Sequence, residues 1–201
     1  MKKIILLSSL MLAIVSLSAQ TKIGITSGLV LASISTDDED LQSEKSMLLT
    51  SQIGLMIDRT LSDKFSLQSQ LLLIGKGTSI EHVGHKDKVR FTALDIPIQF
   101  LYRTKGGWFI GGGPNLGFNL SARSIHEDEK ETIDIGDEAG AVKGFDAGLN
   151  FRTGVTLKNG LVLSINKLFG LTNLQNVPNF RWNNNAIGIN VGYFFSAKPK
   201  K

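Results

Sequence analysis

Asn184-Asn185-Ala186-Ile187-Gly188-Ile189-Asn190-Val191-Gly192-Tyr193-Phe194-Phe195 decides the fold. Because successive strand side chains point to opposite faces, Ile187, Ile189, Val191, Tyr193 and Phe195 share one face and Ala186, Gly188, Asn190 and Gly192 the other. One face is uniformly apolar. The other carries small residues and an amide.

The same alternation recurs upstream. Phe145, Ala147, Leu149, Phe151, Val155 and Leu157 oppose Gly144, Asp146, Gly148, Asn150, Arg152 and Gly154, and Leu94, Ile96, Ile98, Phe100 and Tyr102 oppose Asp95, Pro97 and Gln99. Eight such runs follow one another near 22–32, 47–59, 64–76, 89–103, 107–121, 143–157, 161–172 and 184–195. Their length, about ten residues, is what a tilted strand needs to cross a bilayer. Helical periodicity is absent at useful length.

The connections alternate in length. Those at Ser62-Asp63, Lys105-Gly106 and Lys158-Asn159-Gly160 are short, whereas 33–46, 77–88, 122–142 and 173–183 are long. Tight turns on one side and long loops on the other predict an all-β fold: an eight-stranded antiparallel up-and-down transmembrane β-barrel with short periplasmic turns and long extracellular loops. Lys158-Asn159-Gly160 suits a three-residue hairpin loop with Gly160 in the left-handed region. Pairing Ile57 with Phe65, Tyr102 with Trp108 and Leu157 with Leu161 keeps apolar residues on one face, and a one-residue slip would break that agreement. Phe65, Tyr102, Trp108, Tyr193 and Phe195 then form a candidate aromatic girdle at the short-turn end.

A soluble lipocalin-like barrel has the same alternation turned inside out. The polar face argues against it, since it is rich in glycine and in Gln52, Gln68, Gln70, Asn115, Asn119, Asn150, Asn166 and Asn190 rather than in the Lys and Glu of a wetted exterior. Charges gather instead in long loops, at Asp37-Asp38-Glu39-Asp40 and His126-Glu127-Asp128-Glu129-Lys130-Glu131. Pro97 and Pro114 oppose the barrel, because each lacks an N–H for the ladder, and Leu72 and Ile74 place apolar groups on the expected inner face. Bulges are the expected remedy for the prolines.

Residues 1–19 read as a signal peptide: Lys2 and Lys3, an apolar stretch through Val15, then Leu17-Ser18-Ala19. The barrel domain is expected over 20–195, with a basic tail over 196–201. Removing Lys2 and Lys3 from the 22 basic residues leaves 20 against 18 acidic, and three of the 20 are Lys198, Lys200 and Lys201. A nearly neutral body argues against nucleic acid, which demands a concentrated positive field. There is no cysteine, so disulfides, thiol chemistry and a lipidated N-terminal cysteine are excluded.

Candidate chemistry is sparse. His82 and His85 with Asp87 offer metal-ligand types in one loop, but no second pair completes a set. Asp37 to Asp40 and Glu127 to Glu131, with Asp134, Asp137 and Glu138, suit Ca²⁺ or Mg²⁺ in type but lack calcium-loop spacing, and a solvated loop is the simpler account. Inside the barrel, Lys76 and Arg152 are expected to pair with Asp58, Asp95 or Asp146 as a polar plug. The histidines, all placed in loops, meet no Ser and orienting carboxylate, so no catalytic, cofactor or metal residue is assigned and no cofactor is expected.

The order of Lys22-Ile23-Gly24-Ile25-Thr26-Ser27-Gly28, Leu94-Asp95-Ile96-Pro97-Ile98, Gly111-Gly112-Gly113-Pro114 and Phe145-Asp146-Ala147-Gly148 resembles the PorT-like outer-membrane β-barrel family over nearly all of the chain after the signal. That resemblance implies an outer-membrane barrel of a Gram-negative cell and makes both prolines expected features. It supplies no catalytic residues. The six residues after Phe195 depart from barrels that end on a terminal aromatic. The expected function is non-enzymatic: a monomeric envelope component held in outer-membrane lipid, meeting envelope proteins or extracellular ligands through its long loops. The alternatives are a small-solute pore and a soluble exported ligand-binding barrel.

Overall fold

The computed structural model describes residues 21–39, 44–82, 85–126, 129–138, 140–176 and 181–195, without the side chains of 81–86. The expected leader, the basic tail, Asp40, Glu127, Asp128 and the imidazoles of His82 and His85 lie outside the described residues. The strands are β1 (Thr21–Ser35), β2 (Lys45–Ser46), β3 (Leu48–Thr60), β4 (Phe65–His82), β5 (His85–Arg103), β6 (Trp108–His126), β7 (Glu129–Ile133), β8 (Phe145–Thr156), β9 (Leu161–Gly170) and β10 (Asn183–Phe195).

Eight of them close a ring. β1 pairs with β3 and β10, β4 with β3 and β5, and the series continues through β6, β8 and β9 back to β10, antiparallel throughout. Closure leaves no open edge among the eight, which is the condition for a sheet to sit in hydrocarbon. β2 and β7 are short additions to β4 and β6. No described helix is long and apolar enough to cross a membrane.

The expected hairpins form, with two registers corrected. Leu157 meets Leu161 as predicted, its N–H donating to the Leu161 carbonyl at 2.8 Å, and Gly160 adopts φ +92°. Ile57, however, pairs with Ser69, and Tyr102 with Ile110. The N–H of Leu61 donates to the Phe65 carbonyl and that of Thr104 to the Trp108 carbonyl, so both turns are tighter than expected. Each correction is an even number of residues and leaves every side chain on its expected face. Facial pattern fixes register only to a multiple of two, and the turn hydrogen bonds choose among the remaining options.

The prolines are absorbed without bulges. Pairing of β4 with β5 lapses between Ser69↔Ile98 and Leu72↔Asp95, and that of β5 with β6 between Pro97↔Asn115 and Phe100↔Gly112, but the register is the same on both sides of each gap. The β5–β6 bulge lies elsewhere, where Thr92 faces Ser121 and Ala93 faces Asn119, leaving Leu120 as the extra residue.

Three expected loops are partly sheet. Residues 77–88 extend β4 and β5 into a tall hairpin, 122–142 contain the end of β6 and all of β7, and 33–46 contain the end of β1 and β2. The histidines therefore mark strand ends rather than loops. With 18 and 19 residues, β4, β5 and β6 far exceed the ten or so that a crossing requires, so they rise past the bilayer as a wall. Above the lipid no apolar outer face is needed, which is why the alternation fades there and the sequence reads as loop.

Candidate functional site

The eight amides expected on the polar face are all buried in the lumen. Gln52 donates to Asn190, which donates to Asn166 at 2.8 Å, and Gln99 donates to Asn150 at 2.7 Å. Amides suit this place because each donates and accepts without carrying charge into a narrow interior.

Lys76, 1% exposed, lies between Asp95 at 2.8 Å and Asp146 at 3.0 Å. Asn115 and Asn184 donate to these carboxylates, each at 2.9 Å. Gly117 makes the room: a Cβ there would sit 2.8 Å from an Asp95 oxygen and 3.1 Å from the ammonium. Attraction and hydrogen bonds thus offset desolvation of three charges.

The second expected cation is paired differently. Arg152 donates to Gln68 at 2.9 Å and to Ser164 at 2.9 and 3.1 Å, whereas Asp58 is held by Arg103 and accepts from Ser66 at 3.1 Å. Both guanidiniums lie over the Phe109 ring, at 5.2 and 5.7 Å. Arg103 escaped the sequence reading although it shares inward parity with Asp95 and Gln99, and that parity was the signal that could have found it.

Apolar layers separate the polar ones. Met56, Leu101, Phe109, Val162 and Phe194 form one cluster, and Val30, Ala32, Leu48, Ile74, Ala93, Leu168 and Ala186 another, which gives Ile74 its reason to face inward. Along β5 the inward residues run Arg103, Leu101, Gln99, Pro97, Asp95, Ala93, Phe91 and Val89, so polar and apolar groups interleave up the axis. An eight-stranded barrel of this width is filled by its own side chains.

At the long-loop end the interior turns apolar. Ile34, Val89, Phe91, Ala122, Val142, Leu174 and Trp182 pack together, with Ile133 and Ile135 against them and the Phe91 and Trp182 rings 6.2 Å apart, edge to face. The described residues of the connections from β7 to β8 and from β9 to β10 are knitted over this cluster. Asn176 donates to the carbonyls of Gly136, Glu138 and Ala141, and Lys143 N–H donates to the Leu174 carbonyl at 2.9 Å. These segments form a folded cap rather than free loops. Lys45 donates to the Ile34 carbonyl at 2.6 Å, and burial pushes its ammonium below the ordinary lysine range.

His126 and Asp87 are 2.5 Å apart at the top of the wall, and Arg181 lies 3.7 Å from Asp37. Among the described residues no three His, Asp or Glu side chains converge as metal ligands.

The outer face is an apolar band. Ile23, Ile25, Leu29, Leu49, Ile53, Leu55, Leu163, Ile165, Ile189 and Val191 are each more than 40% exposed, which no wetted barrel exterior tolerates over so continuous an area. Four of the five girdle aromatics touch one another or a neighbouring ring, with Phe65 stacked on Phe100 at 5.1 Å, Phe65 against Tyr102 at 5.6 Å and Tyr193 against Phe195 at 5.9 Å. Lys167 also points outward within the band, its ammonium 5.2 Å from the Phe169 ring, two residues nearer the long-loop end, as a snorkelling lysine would lie.

A closed ring of eight tilted strands, apolar outside and amide-lined inside, is the architecture of a transmembrane β-barrel of the bacterial outer membrane. The family described as outer membrane protein beta-barrel domain matches residues 18–176, and the chain belongs to it. Its place is the outer membrane. Solved structures similar to it include Neisserial surface protein A (NspA), at 10% identity and a TM-score of 0.54 over 86% of this chain and 97% of that one. Ail, the attachment invasion locus protein of Yersinia pestis, matches at 12% identity and 0.48 over 88% and 99%. OprG from Pseudomonas aeruginosa matches at 14% and 0.46 over 89% and 97%. No curated protein matches the sequence.

Proposed function

We propose that this barrel is a non-enzymatic, monomeric membrane anchor that presents its cap, built on the wall of β4, β5 and β6, as the surface through which it meets envelope or extracellular partners. The observation that carries this reading is the filled lumen: Lys76, Asp95, Asp146, Arg103, Asp58 and Arg152 are committed to partners in the barrel interior. Charges locked together in this way serve neither conduction nor proton transfer. The cap, in contrast, is a compact folded unit outside the band.

Within the family, the order of the Gly28, Pro97, Pro114 and Gly148 motifs supports a place beside the PorT-like barrels. Residues 1–19 act as the export signal in this reading, and 196–201 as a basic tail. Planar-bilayer recording tests the central point. The full-length mature protein is expected to give no stable unitary openings, and reproducible openings would replace the anchor reading with a pore.

A further inference from the structure

We propose that Lys88, Arg90, Arg123 and Lys130 form a site on the outward face of the wall for the phosphates of an anionic lipid in the outer leaflet. This rests on the outer-membrane placement but not on the role proposed for the cap.

The outward residues of β5 run Tyr102, Phe100, Ile98, Ile96, Leu94, Thr92, Arg90 and Lys88. The apolar series thus ends at Leu94, and after Thr92 the outward residues are basic. From Leu94 to Arg90 the chain rises four residues, about 13 Å along the strand and about 10 Å along the membrane normal at the usual tilt. The polar headgroup zone extends roughly 5–8 Å beyond the hydrocarbon edge. Long basic side chains reach back over that difference, as they do at membrane interfaces generally.

The β6 bulge is what adds Arg123. Below it Phe109, Asn115 and Asn119 face inward, and above it Ala122 does. The extra residue, Leu120, therefore reverses the parity of β6 and turns Arg123 outward, beside the exposed Leu120 and above Phe118. Arg123 then lies directly opposite Arg90, while Lys130 opposes Ile125 and Lys88 opposes the same residue from β5.

Two exposed arginines directly across a strand pair repel. Among the described residues neither is paired with a carboxylate. The acids of these strands fall on the other face: Asp87 against His126, with Glu129 and Glu131 opposite His126 and Ser124. Over β5, β6 and β7 the described acids thus take the face opposite these four bases. A phosphate bridging the two guanidiniums removes the repulsion with geometry that arginine matches well. Continuity with the lipid-facing band favours a lipid phosphate over a soluble polyanion.

The test uses full-length mature protein in phosphatidylcholine nanodiscs, titrated with bis-phosphorylated lipid A and read by native mass spectrometry as lipid retained per barrel. The K88Q/R90Q/R123Q/K130Q variant is expected to retain at least tenfold less than wild type. A control with Lys22, Lys64, Lys105 and Lys158 changed to Gln at the opposite end should match wild type. Heat-modifiable migration verifies folding, and if the fourfold variant fails it, R90Q/R123Q carries the comparison with an expected severalfold loss. Equal retention by wild type and either folded variant overturns the site, as does heparin binding through these residues without lipid A retention. Recovery of the protein outside the membrane fraction would instead overturn the placement itself.

Discussion

The lower and upper parts of β5 and β6 are one continuous pair of strands with opposite chemistry. Through the band, Tyr102, Phe100 and Ile98 face outward and Gln99 and Asp95 inward, whereas above it Arg90 faces outward and Phe91 and Val89 inward. A sheet presents its apolar face to whatever excludes water. Below, that is lipid; above, it is the protein's own cap. The transition occurs within three residues of the bulge, so a single strand pair serves as a membrane stave and as one side of a small wet core.

The largest effect is expected where the lower interior is most polar. Lys76→Met leaves Asp95 and Asp146 facing each other without their cation and should cost about 3–5 kcal/mol, measured by urea unfolding in detergent micelles. Adding Asp146→Asn should recover part of that loss, because only one carboxylate then remains. A stability equal to wild type in the single variant would show that the lower interior does not depend on its ion pairs.

The upper interior should fail separately. Phe91→Ala removes the ring that packs on Trp182 and should cost the cap about 3 kcal/mol. Limited proteolysis is expected to open 134–138, 140–143 and 171–176 while heat-modifiable migration of the barrel persists. Loss of both together would mean that the two regions form one cooperative unit.

On the outer face, Ile53→Arg within the band should destabilise by roughly 2–4 kcal/mol, whereas Thr104→Arg in the exposed turn between β5 and β6 should change stability by no more than about 0.5 kcal/mol. Thermal unfolding in lipid nanodiscs compares them, and equal costs would break the distinction between lipid-facing and wet positions. The smallest effect belongs to the girdle: Phe65→Ala, which loses the Phe100 and Tyr102 contacts, should cost about 1 kcal/mol beyond its lost area, visible as a modest shift in the same measurement.

Much of this was legible in one dimension. The inward amides, the outward branched residues, Gly160 in its turn and Lys76 with its two carboxylates follow from parity, because in a band of uniform solvent a strand residue's face dictates its chemistry. The wall was not legible, since Gly77, Thr78 and Ser79 carry the marks of a loop once lipid no longer imposes an apolar face. Nor was the pairing of Arg152, because parity assigns it to the lumen while its height beside Gln68 and Ser164 depends on register.

By itself, then, the sequence determined a closed, eight-stranded outer-membrane barrel, through alternation, turn length and an interior of uncharged amides. Only the tertiary structure decided how far the strands continue past the lipid, that the long connections knit into a cap over Phe91 and Trp182, and that Leu120 turns Arg123 outward beside Arg90. Alternation is a local property, written residue by residue. Register, bulges and the level at which one solvent replaces another arise from pairing across the ring, between residues far apart along the chain.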